Sequence, residues 1–188
     1  MITLVFFLEE PSAKEMLSSL LPRILPEGVS LEFRVFNGKQ DLDKNLTPKL
    51  RGWLRPNCVF VVMRDQDLGD CKAIKSKLAR LCLDAGRNDV LIRIACRELE
   101  SFYLGDLHAV EKGLGLKGIG KRQRQAKFRN PDKLQHPSEE LDRLTDNRYA
   151  KMSGSRAIAP YLDPETNLSS SFKVLVSGIL ALCNNKQE

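Results

Sequence analysis

Cys58-Val59-Phe60-Val61-Val62-Met63, followed at once by Arg64-Asp65-Gln66-Asp67, is the stretch that decides the fold. An unbroken apolar run rich in β-branched and aromatic side chains reads as a strand buried on both faces. Such a strand belongs at the centre of a parallel sheet. The two acids after it would stand at its carboxyl end, where open α/β sheets bind their ligands.

Working outward, Ile2 to Leu8 is a second apolar run, and it stops at Glu9-Glu10-Pro11. Ser12 and Glu15 have the spacing of a capping box for the helix that follows, with Met16, Leu17, Leu20, Leu21 and Ile24 on one face. Leu31 to Phe36 alternates apolar and polar residues, as a strand does. Asp41 to Leu54 has a helical pattern that Pro48 is expected to break or divide. Asp70 to Ala85 is amphipathic, with Asp70 at a capping position and Gly86 as the stop. Val90 to Ala95 is a fourth strand, and Arg97 to Leu104 a helix after it. Strands alternating with helices need crossover connections. The expected fold class is therefore α/β, a mainly parallel sheet of four or slightly more strands flanked by helices.

From about residue 112 the character changes. Gly113 to Gly120 is glycine-rich, Lys121 to Arg129 is basic, and helical patterns resume at Ser138–Leu144, Gly154–Tyr161 and Ser171–Leu182. The expected organisation is an α/β core over 1–111 and a basic loop with a helical extension, packed on the core, over 112–188. No internal repeat is evident.

Composition narrows the function classes. In 188 residues, 42% are hydrophobic and 29% charged, a globular balance. Aromatics at 6% leave few platforms for stacking single-stranded bases. A formal net charge of +6 permits a nucleic-acid partner without demanding one. The five cysteines are scattered, with no Cys-x-x-Cys pair and only two histidines, so a zinc site is not expected and reduced thiols in a cytoplasmic protein are. The first eight residues lack the basic leader and cleavage site of a signal peptide, and no apolar run is long enough to span a membrane.

Three expected strands end in acids: Glu9-Glu10, Asp65-x-Asp67 and Glu98-x-Glu100. Carboxylates crowded at one pole repel one another, and a hard divalent cation with oxygen ligands relieves that repulsion. Mg2+, or Mn2+ in its place, suits phosphoryl chemistry. On extended backbone Asp65 and Asp67 would project to the same side and share one metal region. The competing reading is that these acids cap helices. It suits Asp70 and Glu15 better than Glu9, Asp65 and Asp67, because three strand ends converge in this fold.

These residues resemble the Toprim fold, whose marks are a Glu after the first strand and an Asp-x-Asp after the third. More closely, the chain resembles a bacterial Toprim-like family of unknown function encoded beside ATPases in defence gene clusters, related in fold to OLD-type nucleases. The segments that carry the resemblance are Glu9-Glu10-Pro11-Ser12, Asp65 to Cys71, and Arg97 to Asp106. Tyr149-Ala150-Lys151, Ile158 to Asp163 and Ser171-Phe172 follow, so nearly the whole chain is covered. Where that family has Gly after the first Glu this chain has Glu10, and where it has Trp this chain has Phe102. Alignment on Pro11-Ser12 makes Glu9 the counterpart of the family's acid; from the residues alone Glu9 and Glu10 both stay open.

The resemblance implies a nuclease, with metal-assisted cleavage of a nucleic-acid phosphodiester in a setting of phage defence. Asp65 and Asp67 would hold Mg2+ or Mn2+, Glu9 would be a further ligand or a general base, and Glu100 a supporting or second-metal acid. Lys151 would reach the scissile phosphate, its competing role being a surface salt bridge. Between Lys117 and Lys133 seven basic residues face one acid. Lys121, Arg122, Arg124 and Lys127 among them are candidates to hold a nucleic-acid backbone, against the alternative of plain solvated surface. The rival function is an interaction module, inactive or conditionally active, that works with a partner ATPase; a homo-oligomer stays open. A receiver-like phosphoacceptor fits less well, because Cys96-Arg97-Glu98 stands where that fold places Ser or Thr. Gly113-x-Gly115-x-x-Gly118 follows no strand and reads as a loop, not a dinucleotide site. His108 and His136 lack partners at ligand spacing, and Trp53 is expected in the core.

Overall fold

The computed structural model describes residues 2–184. Four parallel strands, β1 (Ile2–Leu8), β2 (Val29–Val35), β3 (Cys58–Asp65) and β4 (Leu91–Ala95), form one sheet in the order β2-β1-β3-β4. The two apolar runs of the sequence are the two central strands, and their register pairs Leu8 with Met63. Side chains alternate across β1. Leu4, Phe6 and Leu8 pack on one side with α1 (Pro11–Leu20), while Val5 and Phe7 pack on the other. That second side is covered by α2 (Lys39–Arg51) and α3 (Cys71–Asp84), through Leu42, Leu46, Leu50, Leu78 and Cys82. The expected α/β class, a four-stranded parallel sheet flanked by helices, is the one observed.

Phe7 is fully buried between Phe36, Trp53 and Phe60, with ring centroids 6.1–6.3 Å away. Removing such a side chain costs about 3–5 kcal/mol. Trp53 is only partly buried, and stands at the edge of this cluster.

The rest of the chain forms α4 (Glu100–Leu104), α5 (Leu107–Gly113), α6 (Pro137–Leu144), α7 (Lys151–Ile158) and α8 (Ser170–Asn184). Phe128, Leu141, Tyr149, Ile158 and Phe172 join the buried cluster on the α1 side of the sheet. No helix among the described residues is long and apolar enough to cross a membrane.

Four local expectations are corrected. The capping box does not form: α1 starts at Pro11 with Glu10 as its N-cap and no side-chain cap bond. Ser12 donates instead to the Glu10 carboxylate, and Glu15 pairs with Arg156 at 2.6 Å. Pro48 does not divide α2, because it lies in the last turn and forfeits only one helical bond while Leu42, Leu46 and Leu50 stay buried. The helix after β4 starts at Glu100 rather than Arg97, whose φ of 63° is left-handed. The basic run is also not a loose loop. It folds into two short 3-10 turns, Gly120–Arg124 and Ala126–Phe128, and Phe128 is fully buried.

Candidate active site

β1 and β3 are neighbours, and the loops leaving their carboxyl ends go to opposite faces of the sheet, to α1 and α3. That divergence opens the crevice where α/β sheets bind ligands. Glu9, Glu10, Asp65 and Asp67 all line up there, and Glu100 joins them from the start of α4.

Glu9 and Glu10, adjacent in sequence, serve different neighbours. One Glu9 oxygen accepts the Asp65 backbone N–H at 3.1 Å and lies 3.7 Å from the Arg64 guanidinium. Burial raises the Glu9 pKa; the Asp65 N–H and Arg64 pull it back, and Asp67 and Glu10 add to the rise. Glu10 takes the Ser12 hydroxyl on one oxygen and the Lys151 ammonium, at 3.3 Å, on the other.

Part of Asp65 remains accessible at the surface, but protein surrounds its carboxyl. Burial first, then the charges of Glu10, Glu100 and Glu9, hold its pKa well above the usual carboxylate range. Glu10, which the sequence left open beside Glu9 as the acting acid, thus acts on both Asp65 and Glu100 through its charge.

Glu100 is fully buried. Tyr149 donates its hydroxyl to one Glu100 oxygen at 2.9 Å, and the other oxygen has no hydrogen-bond partner. Burial raises the Glu100 pKa, with the Lys151 charge opposing. Lys151 itself, the first residue of α7, is half-exposed; burial would lower its pKa, but Glu100 and Glu10 outweigh that and raise it.

Asp67 does not continue the strand geometry. β3 ends at Asp65, and Asp67 has a left-handed φ of 52°. Its N–H donates to the Arg97 carbonyl at 2.7 Å, and the Arg97 guanidinium donates back to the Asp67 carbonyl at 3.2 Å. The Asp67 carboxylate points at Lys39, 2.7 Å away, across a cleft of about 330 Å3 that Glu9, Asn37 and Gln40 also line. Lys39 is the first residue of α2 and carried no motif; its one sequence signal is its place shortly after the end of β2.

Glu98 and Asp70 have structural uses. Glu98 accepts the Ser138 N–H at 2.7 Å, at the start of α6, and Asp70 caps α3 through the Ala73 N–H at 2.7 Å. Lys121, Arg122 and Arg124 stand exposed on the first basic 3-10 turn, which packs against α5, and Lys127 pairs with Glu140 at 2.5 Å.

The acids are all-oxygen donors of the kind hard divalent cations take, and the unpartnered oxygen of Glu100 has capacity to spare. Among the described residues, however, no three His, Cys, Asp or Glu side chains stand gathered at metal-ligand spacing. Two ammonium groups occupy the acids instead, Lys39 on Asp67 and Lys151 on Glu10.

A four-stranded parallel sheet with acids at the carboxyl ends of its two central strands defines a Toprim-like α/β protein. The chain belongs to the family DUF4276, a domain of unknown function, which matches residues 8–180. Among solved structures it is similar to the C-terminal region of the Burkholderia pseudomallei OLD protein, over 96% of this chain and 98% of that one. The TM-score is 0.57 and the sequence identity 17%, a likeness of fold. No curated protein matches the chain in sequence.

Proposed function

We propose that this protein cleaves phosphodiester bonds of nucleic acid with the help of Mg2+ or Mn2+. The observation that carries the reading is the convergence of Glu10, Glu100 and Glu9 on the Asp65 carboxyl, which burial first and those charges second hold well above its ordinary pKa. A divalent cation relieves such repulsion, and it supplies charge neutralisation at a phosphate and a more acidic bound water. In this reading Asp65 and Asp67 hold the cation, with Glu9 and Glu10 flanking them and Glu100 supporting. Lys39 and Lys151 are internal counter-ions that a cation displaces. Once released from Glu10, the Lys151 ammonium is free to meet a phosphate oxygen. The basic turns bring Lys121, Arg122, Arg124 and Lys127 as contacts for the backbone of the substrate, in a cytoplasmic setting that the family resemblance links to phage defence.

A second reading is favoured by one observation: the solved relative is itself a region of a longer protein. This chain would then be a module that acts only with a partner, the ATPase implied by the family resemblance. Both readings are tested by incubating the purified protein with labelled DNA and RNA, with Mg2+ or Mn2+, with and without the neighbouring ATPase. Cleavage by the wild type alone, lost in Asp65→Asn, supports the nuclease. Cleavage only with the ATPase supports the conditional module. Equal activity in wild type and Asp65→Asn would end the assignment of the site.

A further inference from the structure

The first basic turn is clamped rather than draped. Gln123 uses its whole amide for this: Oε1 accepts the Leu107 N–H at 2.6 Å, and Nε2 donates to the carbonyls of Leu104 and Phe128, both at 3.1 Å. The Glu111 carboxylate accepts the Gly120 N–H at 2.8 Å. Gly120 lies so close to His108 that a Cβ there would stand 2.4 Å from the imidazole Nδ1. The next wall is equally close-fitting, since a Cβ on Gly105 would meet the Asn167 side chain at 2.2 Å. Lys121 and Arg124 therefore project from a fixed platform.

Beside this platform is a cavity of about 420 Å3, bordered by Lys121, Arg124, His108, Thr166 and Leu168, with Gly105 and Gly120 among its walls. Among the described residues neither Lys121 nor Arg124 has an ion-pair partner. Asp106 is the one acid in the lining, and its two oxygens are taken by the Ala109 and Asp163 backbone N–H groups, each at 3.0 Å. Two unpaired cations thus face one carboxylate that is already satisfied.

The geometry points to a binding site for a nucleoside phosphate in this cavity, separate from the acidic strand ends. Arg124 and Lys121 would hold the phosphate, the guanidinium through its planar donor fork and the ammonium as a point charge. The imidazole face of His108, the Leu168 side chain and the two glycine walls offer apolar surface to a base or sugar. The volume lies in the range of sites that enclose small ligands. The required chemistry is carried equally by a free nucleotide and by one nucleotide of a strand lying outside the acidic pole. The strand-holding form of the inference rests on the nuclease reading, which already places Lys121 and Arg124 on the substrate backbone; the free-nucleotide form does not, because neither the acids nor a metal takes part.

Isothermal titration of the full chain in EDTA with adenosine 5′-monophosphate, with adenosine as the phosphate-free control, tests the site. Fluorescence anisotropy with a short labelled single-stranded oligonucleotide distinguishes the two sources. The double variant Lys121→Ala/Arg124→Ala should weaken binding by about tenfold or more, since each lost contact is a charge-assisted hydrogen bond. Arg129→Ala/Lys133→Ala, a change of equal charge outside the cavity lining, should leave it within about twofold. Binding of the mononucleotide, lost in the first variant, supports a free-nucleotide site. Binding of the oligonucleotide alone, lost in the same variant, supports a strand-holding subsite. Lys121 and Arg124 are exposed and unpaired, so the double variant should fold, and a thermal melt verifies it. Adenosine binding as well as its monophosphate, or binding unchanged in the double variant for both probes, would overturn the inference.

Discussion

Lys39→Ala should tighten divalent-cation binding while scarcely altering the stability of the fold. The Lys39 ammonium lies 2.7 Å from an Asp67 oxygen, with side-chain exposures of 51% and 38%, and the contact holds the lysine above its ordinary pKa. At that exposure water and salt screen the pair, leaving about 0.2–1 kcal/mol. A cation that takes Asp67 as a ligand must first displace the ammonium. Deleting the ammonium removes that competition, so the dissociation constant for Mg2+ or Mn2+ should fall about 1.4- to 5-fold, at about 1.4 kcal/mol per factor of ten. The apo protein should lose no more than about 4 °C in Tm, since 1 kcal/mol moves a chain of this size by about 2–4 °C.

Manganese titration followed by calorimetry or electron paramagnetic resonance gives the affinity, and repeating it in high salt should shrink the gain through screening. Lys127→Ala is the control, because it removes an equal charge whose partner, Glu140, lies outside the acidic pole. Unchanged or weaker manganese binding in Lys39→Ala would refute the reasoning, and with it the place of Asp67 among the cation's ligands.

Other consequences follow from Asp65, Tyr149 and Glu111. Asp65→Asn should make the apo protein more stable near neutral pH. The folded-state pKa of Asp65 is raised, so the wild type loses stability as pH climbs from the ordinary aspartate range through that folded value, and the amide has no such loss. Denaturant melts across pH in EDTA measure it, and parallel profiles for the two proteins would count against it. Tyr149→Phe should cost about 1–3 kcal/mol, because it removes the side-chain hydrogen bond to a buried carboxylate whose other oxygen has no partner. A loss indistinguishable from zero in urea melts would mean that Glu100 is uncharged or finds another donor. Glu111→Gln should flatten the acid limb of the stability curve. The Gly120 N–H holds the Glu111 pKa below its ordinary value, so its contribution is present above the unfolded-state value and is lost as pH falls through the folded one. A wild-type acid limb in that variant would remove Glu111 as an anchor of the basic turn.

The sheet was legible because strands buried on both faces write themselves as unbroken apolar runs, and β1 and β3 are such runs. Local rules failed where a partner distant in sequence prevailed. Ser12 turned to Glu10, and Glu15 found Arg156, 141 residues away. Glu98 and Glu100 look alike in Glu-Leu-Glu, yet Glu98 serves the start of α6 while Glu100 is buried at the acidic pole; only the position of α6 separates them. The charge of Lys121 to Arg129 was plain, but its anchoring depends on where the two ends of Gln123 reach, which no charge pattern encodes.

Stability alone does not account for the acidic pole. Asparagine and aspartate tolerate a left-handed backbone, so Asp67 at a φ of 52° is cheap; Arg97 at 63° is not. A strained residue of that kind costs about 1–3 kcal/mol and persists only where its surroundings enforce it. Here the enforcement is the pair of hydrogen bonds between Arg97 and Asp67, whose effect is to fix the loop that carries the Asp67 carboxylate. Glu100 adds a second cost, a buried carboxylate with one unpaired oxygen, where an apolar side chain would fit the same helix without it. Two separate penalties keep acids converging on one crevice, where Arg64 stands beside Glu9 and the lysines Lys39 and Lys151 pair with Asp67 and Glu10. An arrangement that needed only charge balance would have placed those lysines deeper and the acids nearer water. Half-exposed ammonium groups on Asp67 and Glu10 are instead partners that a stronger cation can displace at little cost.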